Sequence, residues 1–152
     1  SYSEQEIKFP SDAMELLTSS GAELGRIQIN KYQSIVEKRR RIAKFYTHRL
    51  AGVAGLILPP DMEESTWSYY CPRVKNKPEV LGKMRKIGVQ VGEVLEYAIP
   101  YMSLYEKFRD REFPNALECS RTTINLPCHP DLGKADLEYI ADNLQRVVRG
   151  NE

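Results

Sequence analysis

Excess charge of one sign is missing from this chain. Twenty-two Lys and Arg face 21 Asp and Glu, for a formal net charge of +1. So even a balance exerts no global pull on a polyanion, and nucleic acid is not an expected partner. Long apolar runs are missing too. None approaches the ~20 residues that cross a bilayer, and Ser1 to Pro10 lacks the apolar stretch of a secretion signal, so no membrane partner is expected. Cysteine is scarce: Cys71, Cys119 and Cys128 are odd in number and contain no CxxC pair. That spacing gives neither a disulfide framework nor a structural zinc site, and a reducing, cytoplasmic setting with free thiols follows. Cys128 and His129 are adjacent, and neighbours in sequence rarely turn to one metal. There is no Ser/His/Asp set, phosphate loop or paired-carboxylate motif, no internal repeat and no low-complexity tract.

What is present reads as one folded domain behind a lead-in. The chain has 152 residues, 41% hydrophobic and 28% charged, enough for a sizeable core. Residues 1–20 are polar and broken by Pro10, with Met14, Leu16 and Leu17 able to form a short helical turn. Residues 21–150 carry the domain. Ala22 to Leu50 is the strongest helix, with Leu24, Ile27, Tyr32, Ile35, Ile42, Phe45, Tyr46 and Leu50 on one broad stripe and Ser19 or Ser20 as its cap. Such a helix is about 40 Å long, enough to brace a neighbouring domain or subunit.

Gly52 to Pro60 reads as extended, and Thr66 to Val74, rich in aromatics, as a strand. After a loop at Lys75, Asn76 and Lys77, Pro78 opens a helix to Ile87 that Gly88 stops. Val89 to Leu95 reads as a strand interrupted at Gly92, Met102 to Phe108 as a helical turn, Pro114 to Ser120 as a short helix and Thr122 to Leu126 as a strand. Leu137, Ile140, Ala141, Leu144, Val147 and Val148 stripe a last helix, with Asp136 at its positive end. The order predicts an α+β fold: a small, mostly antiparallel sheet with helices on one face and a long N-terminal helix.

Several segments in this order resemble one family. Arg39-Arg40-Arg41-Ile42-Ala43, Tyr46 and Leu50, then Pro59-Pro60, the Trp67 to Val74 strand, Lys86-Ile87-Gly88-Val89, and the ending Pro114, Ala116, Leu126-Pro127 and His129-Pro130-x-Leu132 are similar to the C-terminal small domain of the DegT/DnrJ/EryC1/StrS aminotransferases. The resemblance spans roughly Gly21 to Val148. It implies a pyridoxal-phosphate enzyme of the aspartate-aminotransferase fold, usually a homodimer, that moves an amino group, commonly from glutamate, onto a keto sugar carried by a nucleotide. It also implies that the Schiff-base lysine belongs to a large N-terminal domain with no counterpart here. This chain should then hold no catalytic residue and no cofactor of its own, should help close the substrate cleft, and should be inactive alone. In the family the loop after the Gly-Ile turn carries Tyr, Pro and often His near the substrate. Here it reads Tyr97-Ala-Ile-Pro100-Tyr101-Met-Ser-Leu-Tyr105, without the His.

The candidate substrate contacts are Tyr70, Arg73, Tyr97, Tyr101 and Tyr105, with Tyr69 alongside. Tyrosines can stack on a sugar and bond it through their hydroxyls, and an arginine fork suits a phosphate or carboxylate. The plainer reading has the tyrosines packing sheet and helices. The basic run Lys38, Arg39, Arg40, Arg41, Lys44 and Arg49 reads as a solvated helix face. A different class of function is a stand-alone protein-interaction or dimerisation module derived from the same fold.

Overall fold

The computed structural model describes residues 18–150. The short turn expected at Met14 to Leu17, like most of the lead-in, lies outside them. The chain divides between Ile35 and Val36 into two units.

Helix α1 (Ser19–Leu50) begins in the first unit. Its cap is Thr18 rather than Ser19 or Ser20: the Thr18 hydroxyl accepts the Gly21 N–H at 3.2 Å. Leu24, Ile27 and Tyr32 are exposed, whereas Ile42, Tyr46 and Leu50 of the same expected stripe are buried, joined by Val36 and Ala43. The period was helical throughout, but only the later turns meet a core.

In the second unit that core gathers α1, the sheet, helix α2 (Lys77–Lys86) and helix α4 (Lys134–Arg149). The α+β reading holds, with a long N-terminal helix and a small antiparallel sheet. Strands β1 (Leu56–Ile57) and β2 (Arg73–Val74) pair antiparallel, Leu56 facing Val74. Single antiparallel bridges extend the sheet from Tyr70 to Leu126, from Arg73 to Thr123 and from Asn125 to Gly92.

The strands are shorter than the composition suggests, for local reasons. Trp67 sits at φ +50°, in the left-handed region, which ends any extended run toward Thr66. Pro72 has no N–H to give a ladder, and only its carbonyl is used, by Ile124. Val89 to Leu95 meets the sheet at Gly92 alone.

The helix signals fare better. Pro78 stands in the first turn of α2, and Gly88 follows it at φ +81°, where a side chain would be strained. Helix α3 (Pro114–Thr122) begins at Pro114. The carboxylate of Asp136 accepts the Gly133 N–H at 3.0 Å at the start of α4, whose Leu137, Ile140, Ala141, Leu144 and Val148 are buried.

Arg41, Lys44 and Arg49 of the basic run are exposed, as a solvated helix face requires, and Lys38, Arg39 and Arg40 are half-buried. Arg40 donates to the carbonyls of Ser65 and Glu64 at 3.0 and 3.2 Å, and Arg49 pairs with Asp142 at 2.6 Å. These arginines sew α1 to the loop before Trp67 and to α4.

Cys128 lies buried where these pieces meet, its thiol donating to the Trp67 carbonyl at 3.5 Å. Burial pushes its pKa up to about 11, with the Arg39 charge pulling weakly the other way. A thiol that resists ionising in the fold favours folding below its unfolded pKa of about 8.5 and loses that contribution as pH rises. The thermal midpoint is therefore expected to fall between pH ~8.5 and ~11, and to fall less steeply in Cys128→Ala. Equal slopes in a pH series of melting curves would disprove this.

Candidate functional site

Three of the candidate tyrosines share one excursion of the chain. After Gly92 the backbone leaves the sheet, forms 3-10 turns at Ile99–Tyr101 and Ser103–Phe108, and returns through Arg109 to Phe113 into α3. Pro100 fits the first of these turns because its fixed φ suits a helical start.

Tyr101 does structural work within the excursion. Its hydroxyl donates to Glu112 at 2.7 Å and accepts the Phe113 N–H at 3.0 Å. The Arg109 guanidinium lies 4.8 Å over its ring. Tyr101 thereby ties the outgoing strand of the loop to the returning one. Tyr97 and Tyr105 are exposed, together with Val94, Leu95, Ile99, Leu104 and Phe108. Lys107 and Arg111 stand over the rings of Phe108 and Phe113. The excursion thus carries exposed rings and hydroxyls in one stretch of chain with cations, a chemistry that suits a ring-bearing anion.

Arg73 and Tyr70 stand elsewhere. Arg73 pairs with Glu118 at 3.0 Å and lines an apolar cleft of about 310 Å³ among Leu56, Ile57, Val74 and Thr122. None of the loop tyrosines lines that cleft. Tyr70 is fully buried, 5.2 Å from the ring of Tyr46, and its hydroxyl meets Thr47 at 3.0 Å. Burial raises its pKa, and the Thr47 bond opposes that. A side chain so enclosed leaves no surface for a ligand in this chain. Tyr69, next to it, is exposed.

The residue that sequence reasoning passed over is Lys77. Assigned to a loop, it is the first residue of α2 and is buried. Its ammonium donates to the carbonyls of Leu95 at 2.7 Å and Ser120 at 2.9 Å and pairs with Glu93 at 3.1 Å. A signal was present: a cation in a helix's first turn opposes the helix dipole and needs another reason to be there.

A pyridoxal-phosphate cradle needs an enclosed lysine with its amine free to form a Schiff base. Among the described residues Lys77 is the buried lysine, and its three donors are committed. The residues present do not fit that group. Nor do three or more His, Cys, Asp or Glu side chains gather to hold a metal among the described residues.

Replacing Tyr101 by Phe removes both of its hydroxyl bonds. About 1–2 kcal/mol of stability is expected to be lost, and trypsin is expected to cut faster at Arg109 and Arg111. Unchanged cleavage would show that Tyr101 does not hold the loop.

Residues 15–145 match the DegT/DnrJ/EryC1/StrS aminotransferase family. The chain is 31% identical over 129 residues to a dTDP-4-dehydro-2,3,6-trideoxy-D-glucose 4-aminotransferase of Saccharopolyspora spinosa, covering 84% of this chain and 34% of that protein. It is 24% identical to the spore coat polysaccharide biosynthesis protein SpsC of Bacillus subtilis, covering 95% and 40%. Its fold is shared with S. venezuelae DesV in complex with a ketimine intermediate, at a TM-score of 0.81 and 20% identity, covering 95% of this chain and 40% of DesV. The aminotransferase TlmJ of Streptoalloteichus hindustanus gives 0.77 and 24%, covering 86% and 36%. The chain therefore spans between a third and two fifths of the length of the relatives it matches.

Proposed function

Because this chain belongs to the DegT/DnrJ/EryC1/StrS aminotransferase family, we propose that it acts as the C-terminal small domain of a nucleotide-sugar aminotransferase. A large domain would supply the Schiff-base lysine and hold pyridoxal phosphate, which carries the amino group between donor and keto sugar. The small domain would close the cleft over the substrate. Alone it would be inactive, and the intact enzyme would work as a cytoplasmic homodimer.

The observation that carries this reading is the exposed face of the 94–108 excursion. The exposed Val94, Leu95, Ile99, Leu104 and Phe108 support a surface that another body would cover. Tyr97 and Tyr105 would meet the sugar nucleotide there, with Arg109 and Arg111 close to its phosphates. Tyr101 would hold the loop in shape. Arg73, already paired with Glu118, would reach a ligand only by giving up that partner.

A second reading draws on the exposed Leu24, Ile27, Ile29 and Tyr32 of α1. It makes the chain a self-contained pairing module that would associate through such exposed apolar side chains.

The test adds pyridoxal phosphate and a keto-sugar nucleotide to the chain alone and to the chain joined to a family large domain. The joined protein is expected to turn yellow and transaminate, and the lone chain to do neither. Transamination by the lone chain would overturn the proposal. A discrete dimer of the lone chain in light scattering, with no gain of activity on joining, would favour the pairing module.

A further inference from the structure

Lys77 holds more of the fold than its place at a helix start requires. It is 4% exposed, and an ammonium has three N–H donors and no acceptor. Each donor has its own acceptor: the Leu95 carbonyl, the Ser120 carbonyl and the Glu93 carboxylate. Burying a lysine without such partners would be prohibitive.

The three acceptors are not scattered. Glu93 and Leu95 lie where the chain leaves the sheet for the tyrosine excursion. Ser120 lies in α3, the element through which the chain returns. Lys77 therefore closes the base of the excursion from both sides. Beyond it on the outgoing side stand buried Ala98 and the Tyr101 hydroxyl bonds. The backbone pairs with Asn125 at Gly92 and next bonds at Ala98, and no backbone–backbone hydrogen bond holds 93–97 among the described residues. The Lys77 ammonium takes the place of the missing strand ladder.

We propose that Lys77 is a positioning residue, a clasp that sets where the Tyr97–Tyr105 loop stands when it meets substrate. The substrate clause rests on the function proposed above; the clasp itself does not. Lys77 touches no reacting atom. It acts through the backbone two residues before Tyr97 and through the end of the helix that follows Phe113.

Amide hydrogen exchange of the whole chain tests the clasp with Lys77→Met, Lys77→Arg and Val80→Ala. Met keeps the length and apolar stem but has no donors. Arg keeps the charge and donors enough for all three acceptors. Val80 is buried on the same helix and bonds nothing in the excursion through its side chain, so Val80→Ala reports simple loss of packing.

Lys77→Met is expected to speed exchange about tenfold in peptides covering 99–109, where the amides of Tyr101, Met102, Tyr105 and Arg109 are hydrogen-bonded, while those of α4 stay near wild type. Lys77→Arg is expected to stay close to wild type. Val80→Ala is expected to loosen the chain without singling out the loop. The clasp is refuted if Lys77→Met speeds all peptides evenly, as Val80→Ala does, or leaves 99–109 unchanged. Should Lys77→Met fail to fold, Glu93→Gln replaces it, with a smaller effect at the same peptides expected and no effect counting against the clasp.

In the chain joined to a large domain, Lys77→Met is expected to raise KM for the keto-sugar nucleotide about tenfold with kcat little changed. An unchanged KM refutes the substrate clause. A wild-type joined protein without transaminase activity would instead defeat the function proposed above, and the exchange pattern would still decide the clasp.

Discussion

Tyr46 is the joint through which the end of α1 is locked to the sheet. Its ring is fully buried, 5.9 Å from Phe45 and 5.2 Å from Tyr70, and its hydroxyl donates to the Pro127 carbonyl at 2.9 Å. The next residue, Thr47, meets the Tyr70 hydroxyl. Tyr70 and Leu126 are themselves bridge partners. One turn of helix therefore holds Tyr70 on one side of that bridge and Pro127, the residue after Leu126, on the other. Burial raises the pKa of Tyr46, so its hydroxyl remains a donor well into the alkaline range.

That economy recurs across the second unit. Two-residue strands and single bridges cannot hold a sheet by their ladders, so side chains take over the work. Arg40 secures the loop before Trp67, Arg49 and Gln145 connect α1 with α4, Tyr139 donates to the Ile87 carbonyl at the end of α2, and Lys77 closes the tyrosine excursion. Most of these donors reach main-chain carbonyls. At these points a polar side chain stands in for a missing backbone partner.

The helices were legible because their signals are local. Pro78, Pro114 and Gly88 mark ends by their own backbone limits, and the Leu137 to Val148 stripe has a period that any helix must bury. The strands were not. Nothing in the composition of Thr66 to Val74 announces that Trp67 turns to a positive φ, because that conformation is imposed by packing around it. The candidate site was legible as a cluster and illegible as a division of labour. Three tyrosines do share one loop, yet only tertiary contacts reveal that Tyr101 braces it, that Tyr70 belongs to the core and that Arg73 is already paired. Lys77 was misread for the same reason: its acceptors lie 16 to 43 residues away along the chain.

Trp67 is the only tryptophan of the chain, and its ring stands 5.7 Å from that of Tyr70 in the core. Its backbone, held at φ +50° at a cost of order 1–3 kcal/mol, stays there only while the surrounding packing does. The protein's single indole emission therefore belongs to the Tyr46–Tyr70 side of the fold. It will register the melting of that core, and the opening of the tyrosine excursion will pass it by in silence.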